Sequence, residues 1–173
     1  MSLSFFSPAP SPANERERQR AVDASSVLRV PPDPVLHHLV TKTASLFNAP
    51  MAGLSILDRD RTWFAARIGI DLPAISRAIS FCAHAILQPG GPLVIADALS
   101  DDHYAGNPFV QNDPNVRFYA GMAVFGADGH PLGTLFAMDV NPRDGVLPLT
   151  KLVELAQRAG QAIADLDRSE AAA

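Results

Sequence analysis

The chain has 173 residues, of which 47% are hydrophobic and 18% are charged, and its formal net charge is −4. This length and composition are typical of one globular domain and exclude a disordered or fibrous chain. Proteins that bind nucleic acids concentrate Lys and Arg on one face, so a weakly acidic chain is not expected to bind nucleic acid.

The sequence shows no recognisable targeting signal and contains one cysteine. No apolar run approaches the roughly 20 residues that span a bilayer, and the start, "MSLSFFSPAP", lacks the features of a signal peptide. We therefore expect a cytoplasmic protein that does not enter a membrane. Cys82 is the single cysteine, so neither an intramolecular disulfide nor a cysteine-rich zinc site is expected.

The first third of the chain predicts a tail and two helices. Residues 1–13 are rich in Ser and Pro, which predicts a disordered tail ahead of a single domain at 14–170. Asn14 and the acidic residues after it predict a helix over 14–30 with a thin apolar stripe. Asp33 before Pro34 predicts the start of a second helix, whose apolar residues recur at helical spacing.

The middle of the chain predicts a hairpin, a short helix, a strand and a long loop. The segments "MAGLSILD" (51–58) and "TWFAARIG" (62–69) are typical of paired strands. Apolar spacing predicts a helix over 80–88, and "PLVIADA" (92–98) predicts a buried strand. Residues 99–116 predict an irregular loop, and loops of that length are usually functional or mobile.

The stretch "RFYAGMAVFGADGHPLGTLFAMD" (117–139) predicts a second hairpin that turns at Asp128-Gly129. Both faces of its strands are largely apolar, which indicates a sheet covered on both sides. A final helix is predicted from Pro148, with one apolar side. The element order therefore predicts an α+β fold around a central, mainly antiparallel sheet.

Six segments in order, "LSILD", "TWFAARIGID", "SFCAHAI", "PLVIADA", "RFYAGMAV" and "DGHPLGTLFAMD", resemble the GAF family of sensory domains. The resemblance covers about residues 15–167. It implies a sheet with helices on one face and a pocket layer of loops and short helices, residues 72–118, on the other. The length of the chain predicts a standalone member, whose signalling partner the sequence does not name.

The resemblance implies a non-enzymatic signalling domain that binds a small molecule between the sheet and residues 72–118. It also implies a homodimer formed through the terminal helices, 14–30 and 148–168, because the thin stripe of the first helix needs covering. The alternative is a protein–protein interaction or dimerisation module whose pocket is closed. In that alternative the pocket is filled by aromatic side chains, namely Phe81, Phe109, Phe118 and Tyr119.

The residues expected to contact a ligand lie in or beside the pocket layer: Phe81, His84, Asp97, Tyr104, Phe109, Arg117 and Tyr119. Arg117 and Tyr119 share one face of their predicted strand and offer a planar cationic fork and a polar tip. For Arg117 we prefer a structural role, an ion pair that pins the long loop. Its expected partners are Asp97, Asp101 or Asp102.

Catalytic and cofactor chemistry find little support in the sequence. The family includes free methionine sulfoxide reductases, which need a second cysteine to resolve a sulfenic acid, and bilin-binding members, whose cysteine usually precedes a histidine directly. Here Cys82 stands alone, and an alanine separates it from His84, so we expect Cys82 to pack in the core. The scattered histidines do not predict a metal site. The sequence names neither a ligand nor a cofactor.

Overall fold

A six-stranded antiparallel sheet, in the order β3-β2-β1-β6-β5-β4, forms the centre of the protein. The computed structural model describes residues 5–173. The strands are β1 (Met51–Asp58), β2 (Arg61–Ile68), β3 (Ala74–Ser76), β4 (Leu93–Ile95), β5 (Phe118–Phe125) and β6 (Pro131–Asp139). The helices are α1 (Glu15–Ala24), α2 (Pro34–Phe47), α3 (Phe81–Ala85), α4 (Pro108–Gln111) and α5 (Leu149–Ala171). The predicted α+β fold with an antiparallel sheet is confirmed.

The long helices α1, α2 and α5 cover one face of the sheet. Alternate residues of the central strands, such as Leu54, Ala120 and Leu135, are buried in a core with these helices. The sequence begins α2 as predicted, because the Asp33 carboxylate accepts hydrogen bonds from the first backbone amides of the helix. Within the described residues 5–173, no helix is both long enough and apolar enough to cross a membrane.

The opposite face of the sheet is covered by the segment that carries α3 and α4. A second core joins Tyr119 and Phe136 of the sheet to Phe81, Ile86 and Val110 of this segment. The two apolar faces of the 117–139 hairpin therefore have the predicted cause, since each face packs against a different layer. The predicted range 72–118 also contains the strands β3 and β4 and the first residue of β5, so the name pocket layer below means the part of this range that lies outside the sheet.

The structure differs from the prediction in several short elements. The strand β3 and the 3-10 turn at Arg77–Ile79 were not predicted, and α4 lies inside the stretch predicted as an irregular loop. The helix α3 ends at Ala85, and β4 contains only three residues. These elements are too short to show a repeated apolar period, which is the signal on which sequence prediction depends.

The helix α1 ends at Ala24, well before the predicted residue 30. The reason is a long-range contact: the backbone amide and the hydroxyl of Ser26 both donate to the Asp167 carboxylate of α5. Ser and Asp side chains that bind backbone groups offer the chain an alternative to the helix. The end of α1 is thus set by a residue far away in sequence.

The predicted tail is only partly covered by the structure, since residues 1–4 lie outside the described residues. Residues 5–12 form neither helix nor strand. Ala9 nevertheless packs against the second core. The disorder of this tail and the 14–170 domain boundary stay predictions.

Candidate ligand-binding cavity

A cavity of about 210 Å³ lies between the sheet and the pocket layer, where the sequence predicted a pocket. Its floor consists of sheet residues, among them Met51, Phe64, Tyr119, Phe136 and Met138. Its roof and rim consist of residues between Gly69 and Val116, among them Ile70, Asp71, Ser80, Cys82, Phe109 and Asp113. The lining is mostly apolar and aromatic, as in most sites that bind small molecules.

The floor of the cavity is a pair of stacked aromatic rings. The centroids of Tyr119 and Phe136 are 5.7 Å apart with an interplanar angle of 18°. Two strand glycines make room for them: a Cβ added at Gly121 would overlap the phenol of Tyr119, and one added at Gly53 would come within 2.7 Å of Phe136. Gly121 thus allows the close approach of an aromatic ring that lies over the sheet.

A line of buried polar side chains connects the roof of the cavity to the sheet. The Tyr119 hydroxyl donates to Cys82 Sγ at 3.3 Å and lies 3.3 Å from Thr134 Oγ1, which in turn lies 2.9 Å from Ser55 Oγ. Burial, with a smaller contribution from the neighbouring Cys82, raises the pKa of Tyr119 well above its usual range. The phenol therefore stays neutral and serves as a hydrogen-bonding link between sheet and roof.

Ser80 is the exception to this pairing. It lines the cavity and is only 2% exposed, yet its Oγ has no hydrogen-bond partner among the described residues. A buried hydroxyl without a partner costs about 1–3 kcal/mol. A bound molecule with one suitably placed polar group would remove that cost.

The structure brings three of the seven predicted ligand residues to the cavity, Phe81, Phe109 and Tyr119. His84 and Tyr104 lie behind this lining, where their rings pack edge to face at 5.1 Å. Burial, with His103 nearby, lowers the pKa of His84, so its imidazole favours the neutral form.

Asp97 and Arg117 lie away from the cavity lining. The Asp97 carboxylate accepts hydrogen bonds from the Leu99 amide and the Ser100 hydroxyl, and so caps a turn. Arg117 forms no ion pair among the described residues; its Nη1 donates instead to the carbonyl oxygens of Val110 and Val116.

The ion pair expected for Arg117 is therefore wrong, although the side chain does hold the loop through Val110. The physical reason is that the Asp97 and Asp101 carboxylates are already occupied by nearby backbone amides. Such local bonds are the usual role of Asp in turns.

Several lining residues were missed by the sequence reasoning. Phe136 and Met138 belong to the quoted hairpin, and Met138 stands directly opposite Tyr119 in the register of β5 and β6. Strand alternation from Tyr119 would have found both. For Ser80 the sequence offers no signal. Cys82 is buried as expected, and it also lines the cavity. Within residues 5–173, no three His, Cys, Asp or Glu side chains are grouped as metal ligands would be.

Comparison with known proteins adds a family and several relatives. The profile of the GAF domain matches residues 31–165. A cyclic di-GMP phosphodiesterase of Pseudomonas aeruginosa is 42% identical over 134 residues, which are 78% of this chain and 23% of that protein. The chain thus spans about a quarter of the length of this curated relative.

Solved structures share the fold at low sequence identity. The blue-light-absorbing form of the Thermosynechococcus elongatus PixJ GAF domain has a TM-score of 0.62 at 15% identity, covering 91% of this chain and 90% of that one. A free methionine-R-sulfoxide reductase from Neisseria meningitidis, in complex with its substrate, has a TM-score of 0.61 at 22% identity, covering 98% and 99%. The profile match and the 42% identity to the Pseudomonas relative show that this chain belongs to the GAF domain family.

Proposed function

We propose that this GAF domain is a sensory module that binds a small molecule in the cavity between the sheet and the pocket layer. The observation that carries the proposal is the cavity itself, whose apolar, aromatic lining includes one buried hydroxyl without a partner. Small-molecule sites combine such a lining with a small number of polar groups that fix orientation.

A route from the cavity to the N-terminal helix supports a sensory role. Arg77, just before the cavity residue Ser80, donates to both carboxylate oxygens of Glu15 on α1. Glu15 also accepts from Arg18, which is anchored in the sheet. A ligand that favours one arrangement of the pocket layer shifts the population of that arrangement, and Glu15 passes the change to α1.

The proposed role is binding rather than catalysis. Cys82 is the single cysteine of the sequence, so a sulfenic acid formed there would find no second thiol in the same chain. An added thiol reductant could replace that second thiol, so the test is run in its presence: because Cys82 is only 4% exposed, incubation of the purified protein with free methionine sulfoxide and a thiol reductant should yield no methionine above the uncatalysed background. Production of methionine that scales with protein concentration would refute the non-enzymatic role.

The closed-pocket alternative loses support from the position of one residue. It required Phe118 to help fill the pocket, but Phe118 lies in the core on the helix-covered face. The cavity keeps about 210 Å³ although Phe81, Phe109 and Tyr119 line it. Function by protein contact alone would leave this volume and the unpartnered Ser80 without a role.

Native mass spectrometry of the purified protein, with an absorbance scan of the same sample, tests the proposal. Added mass that disappears on denaturation, or a visible absorption band, is the result expected for a bound ligand. An unliganded protein that also shows no binding when small molecules are added would favour the interaction-module alternative.

A further inference from the structure

We propose that the cavity selects an uncharged molecule over an anion, and that this ligand is about the size of one substituted aromatic ring and is held by a hydrogen bond to Ser80. This inference rests on the proposed function, because it names the class of ligand that the same cavity would take. It is carried by the volume, the charge and the unpaired polar group of the cavity.

The volume sets the size of the ligand. A dry apolar cavity of about 150 Å³ is large enough to bind benzene, whereas pockets for drug-sized ligands are about 300–1,000 Å³. The 210 Å³ cavity therefore fits one ring with a short substituent. A nucleotide or dinucleotide would not fit without opening of the pocket layer.

The charge of the lining excludes anions. The residues that line the cavity include two carboxylates, Asp71 and Asp113, and none of them is Lys, Arg or His. The arginines close in sequence to lining residues bond elsewhere: Arg67 donates to the Ile70 carbonyl, Arg77 to the Glu15 carboxylate and Arg117 to the Val110 carbonyl. An anion would lose its hydration here without gaining a cation, which is strongly unfavourable.

The floor and Ser80 set the shape and the polarity of the ligand. Aromatic rings attract one another in offset or edge-to-face arrangements, and Tyr119, Phe136 and Phe81 offer both. The thiol of Cys82 and the phenol of Tyr119 already bond to each other. Ser80 is thus the lining hydroxyl left for a ligand hydroxyl, carbonyl or amine hydrogen bond.

Methionine methyl groups provide reporters for a direct test. Met51 and Met138 line the cavity, whereas Met122 belongs to the core on the opposite face. In protein labelled with ¹³C at the methionine methyls, three probes of similar shape are titrated: toluene, benzyl alcohol and benzoate. We expect toluene and benzyl alcohol to shift the Met51 and Met138 signals saturably and to leave Met122 in place, and benzoate to shift none of them.

Ser80→Ala tests the hydrogen bond and removes no bond that the folded protein makes. We expect it to weaken benzyl alcohol binding about fivefold, the loss of one ordinary hydrogen bond, and to leave toluene binding unchanged. Equal weakening of both probes, or of neither, would overturn the role of Ser80.

Benzoate binding as tight as that of benzyl alcohol would overturn the selection against anions. Absence of a Met51 or Met138 shift with both uncharged probes would overturn the proposed ligand class. In that case a ligand that is retained in native mass spectrometry and shifts the Met51 and Met138 signals would show that the cavity binds a different class, so the two proposals fail separately.

Discussion

Arg18 is fully buried where α1 meets the sheet, and its positive charge is compensated by bonds on every side. Its guanidinium donates to both carboxylate oxygens of Glu15 and, at 2.7 Å, to the carbonyl of Leu57 on β1. A weaker pair of bonds reaches the carbonyls of Pro131 and Leu132 on β6. A buried charge is tolerated when it is paired and hydrogen-bonded in this way.

We predict that Arg18→Ala lowers the free energy of unfolding by about 2–5 kcal/mol, because it replaces a fully buried side chain by a cavity and leaves the Leu57 carbonyl without its donor, while Glu15 keeps Arg77. The matched control is Arg16→Ala on the same helix, an exposed arginine that should change stability by no more than about 0.5 kcal/mol. Urea denaturation of the three proteins measures the difference. Similar losses for both variants would contradict this account of Arg18.

Gly121 is required by the ring that lies over it, and this makes a second prediction. A methyl group at Gly121 would overlap the Tyr119 phenol, so Gly121→Ala should push the ring toward the cavity and cost about 1–3 kcal/mol in stability. Gly90→Ala is the control, because a Cβ there meets no atom within 4 Å. Thermal unfolding compares the two, and equal stability of the variants would show that the ring has room to move.

Among single residues, three aromatic side chains of the cavity could be predicted from the sequence, and the directions of polar side chains could not. Phe81, Phe109 and Tyr119 were predicted because they lie in or beside the pocket layer that the family resemblance implied. Asp97 was predicted from the same position in sequence, yet its carboxylate turns back to the chain. Position along the chain predicts nearness to a pocket, whereas the direction of a short polar side chain depends on local amides.

At the scale of elements, Glu15 connects α1 to the turn that precedes α3. Burial raises the pKa of Glu15, but hydrogen bonds and charge attraction from Arg18 and Arg77 outweigh it and lower the pKa from 4.5 to about 2. The folded state therefore favours the ionised carboxylate more than the unfolded state does. The resulting stability is present above pH 4.5 and is lost as the pH falls toward about 2.

We predict that Glu15→Gln removes this part of the acid sensitivity. The variant should be less stable than the wild type at about pH 6, and the difference should narrow at about pH 3, where the Glu15 carboxylate of the unfolded wild type has taken up a proton. Glu17→Gln, exposed on the same helix, serves as the control. Urea unfolding at both pH values provides the measurement, and a constant difference between wild type and Glu15→Gln would contradict the coupling.

Elements with a long apolar period were predictable, and elements stopped by distant contacts were not. The bounds of β1 follow from its own eight residues, which begin after a helix end and finish at a turn. The end of α1 depends on Asp167, and α4 forms where Asn107 caps a helix of only four residues. No local sequence pattern reveals the contact of Ser26 with Asp167, and α4 is too short to show an apolar period.

At the scale of the whole molecule, the two faces of one sheet belong to two different cores, so a structural change in either covering layer acts on the same strands.

The homodimer through the terminal helices remains a proposal, and the structure removes one reason for it. Ala21 and Val22 of α1 are buried by the same chain, so the thin stripe of that helix does not require a second copy. The remaining support is the membership of the GAF family, whose resemblance implied the dimer.

We predict that the protein is a dimer in solution and that the contact involves α1 and α5. Light scattering over a series of protein concentrations gives the mass directly. A mass of one chain at every concentration would remove the dimer and would leave the cavity proposal intact, since every lining residue comes from a single chain.

A thermal-shift screen of small uncharged molecules against the wild type and Gly121→Ala tests whether this cavity binds the ligand. We expect compounds that stabilise the wild type and the Gly90→Ala control but not Gly121→Ala, because the added methyl group pushes the Tyr119 ring into the cavity. Compounds that stabilise Gly121→Ala equally, or a screen in which none stabilises the wild type, would contradict the claim that this cavity binds the ligand.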